Sequence, residues 1–215
     1  NIMKVEQLKI PKLSLRYLKA ATCVAELRSV TTAGEKLNRS QTAISKAIIE
    51  LERQLDVPLF DRTTSGVSTT VYGEALSYRV SMAMKEFQTA GKIYDHFKKP
   101  KNYVHKNPLF SMEISYKRLA ALIALYETCD YASAGHLLGI TSAAVYNSLR
   151  ELENLLNLPL FGKDPSGVHP TTYCKILVRH TKLAFSQIRH AIDDIASLNG
   201  ITCGHVTIGT LPYSR

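Results

Sequence analysis

Two short runs place hydrogen-bonding side chains where a helix would begin. The first is Ser40-Gln41-Thr42-Ala43-Ile44-Ser45-Lys46. The amide of Gln41 can pair bidentately with an adenine edge, and Thr42 can meet a thymine methyl. Ser45 can bond base or phosphate, and Lys46 guanine or phosphate. The second run, Thr141-Ser142-Ala143-Ala144-Val145-Tyr146-Asn147, has the same spacing and different chemistry. Asn147 can pair with adenine and Ala143 can pack on a thymine methyl, but a bulky Tyr146 replaces Ser45 and the cation of Lys46 is gone. This is the chemistry of recognition. No Gly-rich phosphate loop, metal-ligand cluster or Ser, His and Asp constellation at a recognisable spacing is present, so neither an enzyme nor a cofactor is expected. Five of the seven histidines follow residue 111 and read as surface or structural groups.

The elements that must present these runs follow from caps and periodicity. Leu15 to Leu27 reads as an amphipathic helix with Leu15, Leu18, Thr22 and Ala25 on one face. Ser29 then caps a short helix from Thr31 to Leu37, and Ser40 caps a third from Gln41 to about Leu55. Two short helices across a tight turn make a helix-turn-helix. Beyond Pro58-Leu59-Phe60, residues 62–69 are rich in β-branched and turn residues around Gly66, which suits a hairpin wing.

The chain then repeats itself at an offset of 101 residues without a gap. Glu50-Leu51-Glu52 meets Glu151-Leu152-Glu153, and Pro58-Leu59-Phe60 meets Pro159-Leu160-Phe161. Asp130 and Thr141 serve as caps in the second copy, and Asp164-Pro165-Ser166-Gly167 as its wing turn. A unit this long is a whole domain, not a solenoid repeat. After each wing, apolar residues recur four and three apart: Leu76, Val80, Ala83, Phe87, Ala90, Tyr94 and Phe97, then Leu177, Thr181, Ala184, Ile188, Ala191, Ile195 and Leu198. That is the seam of a helix pair. The basic, proline-containing stretch between the copies reads as a linker.

Charge divides the copies. Residues 1–110 hold 18 Lys and Arg against 10 Asp and Glu, a net +8, whereas residues 111–215 hold 9 against 8, a net +1. A polyanion would mainly meet the first half. The four cysteines are far apart and form no Cys-x-x-Cys pair, so small buried apolar roles are expected, with no zinc site or disulfide framework. No apolar run reaches membrane-spanning length and no secretory signal pattern is visible, so a cytoplasmic location without a membrane partner is expected.

The run Ser29 to Leu37, Ser40 to Lys46 and Leu51-Glu52 through Leu59-Phe60-Asp61-Arg62 resembles the head of LysR-type transcriptional regulators. The likeness spans about residues 13–97 and returns over about 114–199. Both copies carry Ala-Gly, at Gly34 and Gly135, where the family usually has Ala-Ala. The resemblance implies double-stranded DNA as partner and points to the same four recognition positions, Gln41, Thr42, Ser45 and Lys46, matched in copy two by Ser142, Ala143, Tyr146 and Asn147. It brings Arg62 and the wing around Ser65 to the flanking backbone or minor groove, with Lys163 at the place of Arg62; a structural ion pair is the other reading of Arg62.

A mainly α fold is therefore expected: two tandem winged helix-turn-helix domains at 13–70 and 114–171, with coiled-coil linker helices at 71–97 and 172–199 and an interdomain linker at 98–113. Residues 200–215 resemble the start of the family's effector-binding domain, so a small-molecule effector is expected only through a part beyond Arg215. The resemblance implies antiparallel pairing of linker helices through Leu76, Val80, Ala83, Phe87 and Tyr94 against Leu177, Ala184, Ile188, Ile195 and Leu198. That leaves an intramolecular pseudo-dimer or a homodimer with four heads. A second head kept for assembly alone, in a protein-interaction module, is the competing function.

Overall fold

Capping side chains divide the chain into its helices. In the computed structural model, which describes residues 8–63, 66–97 and 107–200, the Ser14, Ser29 and Ser40 hydroxyls accept from backbone N–H groups at the starts of α1 (Leu15–Leu27), α2 (Val30–Leu37) and α3 (Gln41–Leu55). A hairpin, β1 (Phe60–Thr63) and β2 (Gly66–Thr69), follows, then α4 (Val71–Phe97). The second copy repeats the order as α5 (Tyr116–Thr128), α6 (Tyr131–Leu138), α7 (Ser142–Leu156), β3 (Phe161–Asp164), β4 (Gly167–Pro170) and α8 (Thr172–Leu198). Each element keeps the offset of 101. The fold is mainly α with tandem helix-turn-helix domains. Both hairpins are antiparallel, with Phe60 opposite Thr69 and Phe161 opposite Pro170.

The duplicated motifs have duplicated work. Glu52 Oε1 accepts from the backbone N–H of Leu59 at 2.8 Å and of Phe60 at 3.3 Å, and Glu153 does the same for Leu160 and Phe161 at 2.8 and 3.2 Å. Each glutamate thus fixes the entry to a wing whose N–H groups would otherwise lack partners. At Gly34 a Cβ would lie 2.7 Å from the Arg39 carbonyl oxygen, and at Gly135 the same distance from that of Ile140. The helix-turn-helix turn closes too tightly for the more usual alanine.

α1 is buried more widely than one stripe. Ala20, Ala21, Cys23 and Val24 join Leu15, Leu18 and Thr22 inside, while Ala25 is only half-buried, because α1 packs against α2, α3 and α4 together. Cys174 is also buried, and burial pushes its thiol up to about 12. Cys129 departs from the expected buried role: it ends α5 in the left-handed region and is exposed, because a cap lies where the helix leaves the core. Cys203 lies outside the described residues, as do Ser65 and all but Gly200 of the stretch 200–215 that resembles the start of the effector-binding domain.

α4 and α8 pack antiparallel along their length. Tyr72 near the start of α4 donates to Asn199 past the end of α8, Arg79 pairs with Asp194 at 2.7 Å, His180 meets Glu86 at 2.7 Å, and Tyr173 at the start of α8 donates to the Ala90 carbonyl at 3.1 Å. Between these bridges Leu76, Val80, Ala83, Phe87, Ala90 and Tyr94 are buried with Leu177, Thr181, Ala184, Ile188, Ala191 and Ile195. The seam stops short of its last expected members. Leu198 is 52% exposed and Phe97 41%, since each is the last residue of its helix and has no further turn to cover it, although Phe97 still stacks on Tyr173 with ring centroids 5.3 Å apart.

The segments preceding each head cross to the opposite copy. Phe110 lies on Gly91 of α4, Glu113 pairs with Lys19 of α1 at 2.6 Å, and the Lys9 carbonyl accepts from Arg189 of α8 at 2.5 Å. Residues 107–113, read from sequence as linker, are therefore partly core, with Leu109 and Met112 fully buried. Apolar side chains of that size stay out of water whenever a surface is available to cover them.

Candidate nucleic-acid interface

Each recognition run is the first two turns of a capped helix. The Ser40 hydroxyl accepts from Ala43 N–H at 3.2 Å, and that of Thr141 from Ala144 N–H at 3.1 Å. Ile44, Ala47, Ile48 and Leu51 anchor α3 inward, as Val145, Leu149, Leu152 and Leu156 anchor α7. The remaining positions must face out. Gln41, Thr42 and Lys46 are exposed and Ser45 is half-buried; Ser142, Ala143, Tyr146 and Asn147 are all exposed. The structure thus gathers each set of four on one outward face. Uncancelled N–H dipoles at the start of such a helix favour phosphate there.

The wings differ. Arg62 lies on β1 opposite Val67, and Lys163 on β3 opposite Val168. At the second wing tip Asp164 Oδ1 accepts from Ser166 N–H at 2.8 Å and Ser166 Oγ at 2.5 Å, with His169 Nε2 3.2 Å away. These contacts, the Ser166 hydroxyl first, hold the carboxyl below its ordinary value. An anion therefore stays at this tip at neutral pH.

Two surface residues were missed by reading only the first turns. Ile49 of α3 is 61% exposed, and its counterpart Arg150 is exposed on α7. The spacing 143, 147, 150 is one helix face, so periodicity alone contained the signal. Tyr131, at the start of α6, was missed as well: its ring meets that of Tyr146 edge-on, with centroids 5.8 Å apart. Among the described residues no group of three or more His, Cys, Asp or Glu is placed to hold a metal ion, and no helix is long and apolar enough to cross a membrane.

The family described as "Bacterial regulatory helix-turn-helix protein, lysR family" matches twice, over residues 15–74 and 116–175. The HTH-type transcriptional regulator GalR of Pseudomonas putida is 30% identical over 202 residues, covering 94% of this chain and 49% of that protein. A match of that length spans both copies. The uncharacterized HTH-type transcriptional regulator y4mQ of Sinorhizobium fredii is 37% identical over 106 residues, 49% of this chain and 36% of its own length. YybE of Bacillus subtilis, another uncharacterized HTH-type transcriptional regulator, is 42% identical over 69 residues, 32% of this chain and 23% of its own. The chain thus spans half or less of these relatives. No solved structure matches it.

Proposed function

Because the chain belongs to the LysR family of bacterial helix-turn-helix regulators and carries its head twice, we propose that it is the sequence-reading part of a transcription regulator, binding duplex DNA with both heads of one chain. The observation that carries this reading is the outward polar face of α3, where Gln41, Thr42, Ser45 and Lys46 stand on a capped helix start. A helix of this kind fits the major groove with its first residues at base edges. Gln41 reads adenine, Thr42 packs on a thymine methyl, and Lys46 and Arg62 hold phosphates. The first head dominates affinity, since the first 110 residues carry a net +8.

The α4 to α8 seam supports a pseudo-dimer, in which the second copy stands where a partner chain would stand. A helix of 27 residues is about 40 Å long. Tethering raises the effective concentration of the second copy to the order of millimolar. Two different heads then read two different half-sites, so the target need not be palindromic. The rest of the regulator, with any small-molecule effector site, belongs to the half of the relatives' length outside this chain. Binding of the chain to duplexes selected from a random pool, titrated with salt, tests the reading. Affinity should fall steeply with salt, and one chain should occupy one site. Salt-independent affinity, or two chains per site, would refute it in turn as a DNA reader or as a pseudo-dimer.

A further inference from the structure

Arg150 changes the standing of the second head. It is exposed on α7 and makes no hydrogen bond or ion pair among the described residues, whereas nearby Arg118 is tied to Glu151 at 2.5 Å. Asn147 precedes it by three residues and Tyr146 by four, on the same face. The Tyr146 ring is 48% exposed but not loose, because its edge-on contact with Tyr131 bridges α7 to the start of α6. The first copy has none of these groups: its counterparts are Ile49, Ser45 and Val30.

A steadied aromatic ring beside the methyl of Ala143 offers base edges apolar contact, and the base that presents a methyl in the major groove is thymine. Arg150 sits about 4 to 5 Å further along the helix axis than Asn147, where a recognition helix leaves the base edges for the groove wall. At the second wing tip the Asp164 carboxylate, held by Ser166, stands next to Lys163 and sets an anion beside that wing's cation.

Resting on the duplex-DNA reading above, we propose that the second head reads its own thymine-containing half-site, with Tyr146, braced by Tyr131, and Ala143 on thymine methyls and Arg150 on a backbone phosphate. The head is then a second reader with separate specificity, not a scaffold.

The test uses the 215-residue chain and duplexes selected on it from a random-sequence pool. The second half-site is the one whose base preferences survive Gln41→Ala with Thr42→Ala. Arg150→Ile, which installs the first copy's residue, should cost about tenfold in affinity and lower the salt slope by about one, while Arg150→Lys keeps most of both. Replacing thymine by uracil in that half-site removes only the methyl. It should weaken the parent chain several-fold and leave Tyr146→Ser, again the first copy's residue, indifferent. Unchanged affinity and slope in Arg150→Ile, or a parent chain blind to uracil, would overturn the assignment. If Lys46→Ala abolishes binding while both probes stay silent, the second-head proposal alone falls. If no duplex is selected at all, the DNA-binding reading falls with it.

Discussion

Phe110 fills the space that a side chain at residue 91 would need: a Cβ on Gly91 would lie 2.9 Å from Phe110 Cγ. The counterparts by the offset of 101 are Ile192 and Lys9, so the fit exists on one side of the seam only. A chain that paired α4 with another α4 would set Lys9 against Gly91 and leave the hollow unfilled. Pairing α8 with α8 would drive Phe110 into Ile192. The contact therefore favours α4 with α8.

Gly91→Ala should destabilise the chain by about 1 to 3 kcal/mol through overpacking. Phe110→Ala, which empties the space, should cost about 3 kcal/mol or more. In the double variant the losses should not add, because the alanine occupies part of the vacated volume. Urea unfolding of the four proteins measures this. Additive losses would mean that the two residues act independently.

Thr181 is fully buried in the seam and its hydroxyl has no hydrogen-bond partner among the described residues. Its counterpart in the first copy is Val80, also fully buried. Thr181→Val removes an unsatisfied hydroxyl without changing shape, and should stabilise by about 1 kcal/mol. A rise in thermal midpoint is the readout. An unchanged or lowered midpoint would show that the hydroxyl is satisfied in solution.

Acid should weaken the second head through a capping group that the first head lacks. Asp130 caps α6 by accepting from Ser133 N–H at 2.7 Å, and that bond above all lowers its pKa from 3.8. A carboxyl whose folded pKa is depressed stabilises fully above its unfolded value. That contribution is lost as pH falls through the lower folded value. The first head uses Ser29 at the same place, which does not titrate. Asp130→Ser should therefore flatten part of the stability decline below pH 4, followed by unfolding at stepped pH. An acid limb identical to the parent's would remove Asp130 from the account.

Lys46→Ala should weaken DNA binding far more than Asn147→Ala, given the uneven charge of the copies. Equal losses in a filter-binding or mobility assay would end the claim that the first head dominates.

Gln41→Ala should relax preference at one or two base pairs by about 1 to 3 kcal/mol, read by repeating the selection. An unchanged ranking of sites would rule out direct readout by Gln41.

The sequence by itself determined the helices, their caps, the two hairpins and the duplication, because these depend on neighbours a few residues apart. Ser29, Ser40, Asp130 and Thr141 cap in the structure where their positions said they would, and α2 merely starts at Val30 instead of Thr31. Spacing also gave the inward faces of α4 and α8, since a heptad pattern marks which side needs cover. Only the tertiary structure decided what covers it. Gly91 and Phe110 meet because residues 107–114 cross to the first copy, Arg79 finds Asp194 across 115 residues, and Leu198 is left half out of the seam at the last residue of α8. It also decided that Arg118 is tied to Glu151 while Arg150 remains available at the surface. Local periodicity fixes which face a residue takes; which group it meets depends on how separate helices cross, and no short stretch of sequence contains that crossing.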